Sequence, residues 1–199
     1  VGKSVSIRKI RSDKKRDVKP TLSLELKDNV YRMSHLCKVP VKDIAETLCE
    51  IGIDSESVVA KLSAHFKRDV RLRSTVYCGY PYNPPVKKNS IITGRITIKF
   101  PADIYENMCL LAYTMDVTPS RAVAILLNAS IKDVSISESL LRDNLKINWM
   151  SDSDRTELSI LMKFIRGNRP NDDRASWTEL MKFAAGEVGD FVVNGWRKE

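Results

Sequence analysis

GRITIKFPADIYENMCLLAYTMDVTPSRAVAILLNASI, residues Gly94–Ile131, is the stretch whose reading decides the fold. It opens with alternation: Ile96, Ile98 and Phe100 fall on one face of an extended strand, and Arg95, Thr97 and Lys99 fall on the other. At Pro101 the period changes from two to about 3.6. Proline suits the first position of a helix, where its missing N–H costs nothing. Ile104, Met108, Leu111 and Met115 then form one apolar stripe. Thr118-Pro119-Ser120 repeats the start signal, with Thr118 as cap and Pro119 in first position. Ala122, Ile125, Leu126 and Ala129 give the second helix its stripe.

One short strand and two helices cannot stand alone. The strand leaves its backbone groups unpaired, and so small a unit buries too little apolar surface. It needs a second copy whose strand pairs with its own. The polar alternation on the strand, the Phe100-Pro101 step and the Thr-Pro-Ser start of the second helix resemble the Arc/MetJ, or ribbon-helix-helix, family of DNA-binding proteins. That resemblance covers about forty residues. It implies a two-stranded ribbon lying in the DNA major groove.

Residues 21–53 repeat the pattern in weaker form. Thr21-Leu22-Ser23-Leu24-Glu25-Leu26 alternates, with the leucines inward and Thr21, Ser23 and Glu25 outward. Val30, Met33 and Cys37 make one stripe, and Ile44, Leu48 and Ile51 a second. Setting Leu26 beside Phe100 leaves a four-residue gap at the helix–helix turn, and no proline follows Leu26, which departs from the family pattern. The alternative is an ordinary strand-helix-helix piece of the core. Two such units make an intramolecular pseudo-dimer, with Thr97 opposite Ser23, Arg95 opposite Glu25 and Lys99 opposite Thr21. Such a ribbon is asymmetric and reads a non-palindromic site. Arg95 and Lys99 suit guanine O6 and N7, Thr97, Thr21 and Ser23 suit several base edges, and Glu25 suits cytosine or orients Arg95. The N-termini of the second helices, with Thr118, Ser120 and Arg121 at one and Lys42 at the other, suit phosphates.

The rest of the chain divides around these units. Residues 1–20 carry eight basic and two acidic side chains and are expected to form a flexible arm, lying along phosphates or simply solubilising. In residues 54–93 a helix carrying Val58, Leu62, Phe66 and Val70 precedes a linker with Tyr77, Tyr80 and Tyr82 among prolines. Those tyrosines either stack on single-stranded bases or cover the core. Residues 132–199 read as a helical domain: a short helix at 137–144, one capped at Ser151–Asp154 and ended by Gly167, and one with the capping box Ser176–Glu179 before Leu180, Ala184, Val188 and Phe191. This region can pack on the core, form a homo-oligomer or bind a protein partner.

The net charge of +8 is uneven. Residues 1–130 hold 22 Lys and Arg against 13 Asp and Glu, and residues 131–199 hold 11 against 12. A basic front part points to a polyanion. The four cysteines and two histidines show no metal-ligand spacing, so no metal or cofactor is expected. Cys37, Cys49 and Cys109 read as small core residues in a reducing compartment. No membrane span or signal peptide is visible, and a cytoplasmic location is expected. No glycine-rich phosphate loop or nucleophile–base arrangement occurs, so no enzyme is expected.

The expected fold is therefore mainly α with a short antiparallel β-ribbon, a tandem ribbon-helix-helix pseudo-dimer followed by a helical region. The expected function is sequence-specific binding of double-stranded DNA, as a transcriptional repressor or autoregulator. An accessory role in plasmid conjugation (the relaxosome) or partition is the alternative within the same family. A helical protein-interaction adaptor is the alternative of another class.

Overall fold

The computed structural model describes residues 15–87, 92–145 and 150–167. Within them the chain is mostly helical, with three short antiparallel strand pairs. Alternation of Val18, Pro20 and Leu22 starts the first segment: all three are buried, and Asp17, Lys19 and Thr21 between them are exposed. The strands are β1 (Arg16–Val18) and β2 (Thr21–Ser23), interrupted where Pro20 has no N–H to donate. Ser23 then stops the strand and caps α1 (Leu24–Cys37), its Oγ accepting the Leu26 N–H at 3.2 Å. After a tight turn comes α2 (Val41–Asp54).

The connection holds α3 (Glu56–Ser63) and a hairpin, β3 (Val70–Leu72) with β4 (Thr75–Tyr77). The second segment is β5 (Thr93–Arg95), β6 (Ile98–Phe100), α4 (Ala102–Met115) and α5 (Pro119–Ile131). Thr118 caps α5 by accepting the Arg121 N–H at 3.3 Å. Last come α6 (Val134–Asn144) and α7 (Asp152–Arg166).

The two segments match without a gap. α1 starts at Leu24 and α4 at Ala102, α2 at Val41 and α5 at Pro119: both intervals are 78 residues. Both tight turns pass through a left-handed residue, Lys38 (φ 55°) and Asp116 (φ 57°), and both are closed by a backbone bond from the next residue, Val39 to Ser34 and Val117 to Ala112.

One register runs through the ribbon. Arg16 faces Phe100, Asp17 faces Lys99 and Val18 faces Ile98; beyond the break, Thr21 faces Arg95, Leu22 faces Gly94 and Ser23 faces Thr93. The same register sets Lys19 against Thr97, residues that are themselves 78 apart. A Cβ added to Gly52 on α2 would meet Ser130 on α5, again 78 residues on. Equivalent residues thus face each other at the ribbon and at the helix crossing, which defines an approximate two-fold axis through both.

The core lies between the ribbon and the paired helices. Leu22, Ile98 and Phe100 point down from the strands onto Val30, Met33, Leu48, Met108, Leu111 and Leu126, all essentially buried. Cys37 and Cys49 are buried as expected, and burial pushes the Cys37 thiol up to about 12 and the Cys49 thiol higher still. Cys109 is only half-buried.

Several expectations need correction. The first extended segment, β1 and β2 together, runs from residue 16 to Ser23 and not from Thr21 to Leu26, so residues 16–20 belong to the ribbon rather than to an arm. Residues 1–14 lie outside the described residues. Leu26 is buried from the helix, whereas Leu24 is 42% exposed, against its expected inward position. The helix expected to carry Phe66 and Val70 stops at Ser63, and these two side chains are buried from the following turn and hairpin. The Ser151–Asp154 capping box and the Gly167 stop are as read, but the helix expected after Ser176 lies outside the described residues.

Asp133 ties the C-terminal region to the middle one. It caps α6 through the Ile136 N–H and takes bonds from Lys61 Nζ at 2.8 Å and Ser57 Oγ at 3.0 Å, both on α3. Burial alone would push its carboxyl up, but the bonds from Lys61 and Ser57, the lysine charge and the Ile136 N–H outweigh it and hold the group below its ordinary range. Its contribution is therefore complete above the ordinary carboxylate range and is lost as the pH falls through and below it. Asp133→Ala should cost about 2 kcal/mol near neutral pH. The difference from wild type should shrink in acid unfolding curves followed by circular dichroism.

Candidate nucleic-acid interface

The ribbon turns its apolar side chains down, so its other face is entirely polar. Asp17, Lys19 and Thr21 from one segment, and Thr93, Arg95, Thr97 and Lys99 from the other, are all exposed. Across the strands they form three pairs: Asp17 with Lys99, Lys19 with Thr97, and Thr21 with Arg95. Three of the four charged side chains are cationic. The acid is engaged, with Asp17 Oδ1 lying 3.8 Å from Lys99 Nζ and both side chains about half exposed. Gly94, opposite the buried Leu22, belongs to the inner face, where an added Cβ would come within 2.7 Å of the Lys27 side chain.

Of the residues expected to reach bases, Arg95, Thr97, Lys99 and Thr21 stand on the outer face. The expected register is four residues out. Arg95 lies opposite Thr21 rather than Glu25, and Lys99 lies opposite Asp17 rather than Thr21. Glu25 is off the ribbon in the first turn of α1, and Ser23 is committed to capping that helix. Sequence reasoning missed Thr93, just before the stretch it read, and the outward pair Asp17 and Lys19. The signal for that pair was the alternation of Val18, Pro20 and Leu22, disguised by the proline.

The residues expected to meet phosphates are divided. Lys42 is exposed in the first turn of α2, and half-buried Ser120 is in that of α5. Thr118 is the α5 cap. Arg121 is engaged elsewhere, its Nη2 donating to the carbonyls of Val86 and Lys87 at 3.3 Å each. That bond pins the linker across the start of α5 and leaves Lys87 exposed there. Lys15 is likewise used internally, paired with the buried Glu46 on α2, and its ammonium pKa is raised chiefly by that bond.

α7 packs on α1. Arg32 Nε bonds Glu157 Oε2 at 2.8 Å, and His35 Nε2 lies 3.0 Å from Asp154 Oδ1. Bonds from the Ser151 backbone and hydroxyl, with the His35 contact, hold the Asp154 carboxyl below its ordinary range. The open groove between these helices measures about 670 Å³ and is lined by Lys27, Asp28, Tyr31, Arg32, His35, Ser153 and Glu157. Among the described residues no cluster of three or more His, Cys, Asp or Glu could hold a metal ion, and no single helix is long and apolar enough to cross a membrane. Comparison with protein-family models, curated proteins and solved structures gives no match.

Proposed function

We propose that this chain is a sequence-specific double-stranded DNA-binding protein that lays its ribbon in the major groove in the manner of the ribbon-helix-helix proteins, with both units in one molecule. The observation that carries the reading is the outer face of the ribbon. Lys19, Arg95 and Lys99 project from a two-stranded surface whose every apolar side chain points the other way. A two-stranded ribbon is narrow enough for the major groove, and arginine and lysine there match guanine O6 and N7. Lys42 and the two helix starts supply the neighbouring phosphate contacts, which position the protein without reading sequence. The basic balance of residues 1–130 agrees with a polyanionic partner.

Within this reading the role is that of a transcriptional repressor or autoregulator. Tandem units in one chain also resemble some accessory proteins of plasmid conjugation, which keeps that role, with partition, as the second reading. The packing of α7 on α1 leaves the C-terminal region as the place where a protein partner or a second copy would attach.

A salt-dependent gel-shift assay on duplexes selected from a random pool tests the proposal. Affinity should fall steeply with salt while the preference for selected sites persists. Arg95→Ala and Lys99→Ala should each cost about 1–3 kcal/mol on the selected site and relax the preference. Lys42→Ala should weaken all duplexes alike. If Arg95→Ala and Lys99→Ala leave binding to every duplex unchanged, the ribbon does not read DNA.

A further inference from the structure

The two ends of the ribbon carry different chemistry. The two-fold relation makes Asp17 the counterpart of Arg95 and Thr21 the counterpart of Lys99, so the Asp17–Lys99 end is equivalent in place to the Arg95–Thr21 end. In charge they differ: one end is neutral and the other is +1. An acid in a place that holds a guanidinium in the other half is costly for a surface meant to face phosphates. The ion pair does not account for it, since a pair half exposed on each side adds little to folding stability.

We propose that Asp17 is a specificity-determining residue that gives the protein a direction on DNA. This rests on the major-groove reading above and deepens it. A carboxylate in the major groove accepts from an exocyclic amino group, and cytosine N4 is the partner that suits it best. Lys99, 3.8 Å away, suits the O6 and N7 of the guanine paired with that cytosine. The couple therefore matches both edges of one C·G pair. Reversing the pair sets guanine O6 against the carboxylate, acceptor against acceptor. Thymine does the same through O4. The Thr21–Arg95 end has no such repulsive element: Arg95 selects guanine and Thr21 accepts several neighbours. Discrimination at one end thus comes from rejection and at the other from attraction.

Site selection from random duplexes, run in parallel on wild type, Asp17→Ala and Asp17→Asn, tests this. Wild type should yield a non-symmetric site with cytosine fixed in one orientation at one end. Asp17→Ala should lower discrimination at that end roughly tenfold and leave the other end unchanged. It should also tighten binding to unrelated duplexes, because a negative charge leaves the face. Asp17→Asn should move the preference from cytosine towards adenine, whose N6 and N7 suit an amide. A perfect inverted repeat selected by wild type, or the same site selected equally sharply by all three proteins, would overturn the inference while leaving DNA binding intact. Wild type that binds no duplex at any salt would overturn both.

Discussion

Phe100→Ala should remove about 3–5 kcal/mol of folding stability, the cost of emptying a large, fully buried aromatic site. Phe100 ends β6, faces Arg16 across the ribbon and lies one residue before the proline that precedes α4. It is where the strand period hands over to the helix period, so the void would open under the β1–β6 pair. The loss is a large share of the 5–15 kcal/mol that domains of this kind possess. Phe100→Leu keeps most of the volume and should cost less than about 1.5 kcal/mol. Urea unfolding followed by circular dichroism checks both. A Phe100→Ala loss below 1 kcal/mol would mean that the ribbon is not anchored through this ring.

Gly52→Ala should cost about 2–3 kcal/mol despite adding only a methyl group. The added Cβ would come within 1.8 Å of Ser130 Oγ and 2.9 Å of Ser130 Cβ, in a crossing where Ser130 is fully buried and donates to the Leu126 carbonyl. Turning the hydroxyl away would relieve the first clash but not the second. Ser130→Gly should therefore rescue Gly52→Ala, and the exchange Gly52→Ser with Ser130→Gly should come closest to wild type, since the two positions are related by the same axis. A double-mutant cycle measures this as a coupling between the sites. If Ser130→Gly adds its cost to that of Gly52→Ala, the helices do not cross here.

What the sequence revealed of this fold depended on how strongly each stretch was punctuated. Phe100-Pro101, Thr118-Pro119 and Ser151–Asp154 each place a cap or a proline at a helix start, and those helices lie where the signals put them. The extended segment from Arg95 to Phe100, the end of β5 and all of β6, was legible because its apolar residues alternate up to a proline. The first strand was not, because two periods overlap at Leu22, Leu24 and Leu26. Spacing by two makes all three strand residues, yet Ser23 caps a helix and only Leu22 and Leu26 are buried. That misreading moved the register by four residues and created the apparent gap at the turn. It also put Glu25 on the ribbon in place of Asp17. The hairpin at residues 70–77 was hidden for a different reason. Val58, Leu62, Phe66 and Val70 keep helical spacing, but only the first two are in a helix. The engagement of Arg121 depends on where a distant linker crosses, which no local pattern encodes.

Because both strands of the ribbon come from one polypeptide, its assembly is unimolecular. On the proposed reading, occupancy of a DNA site by one ribbon rises with the first power of protein concentration rather than with its square. Dilution cannot split the ribbon into separate halves. Each half can also accumulate substitutions without imposing the same change on the other, a freedom that two identical chains do not have.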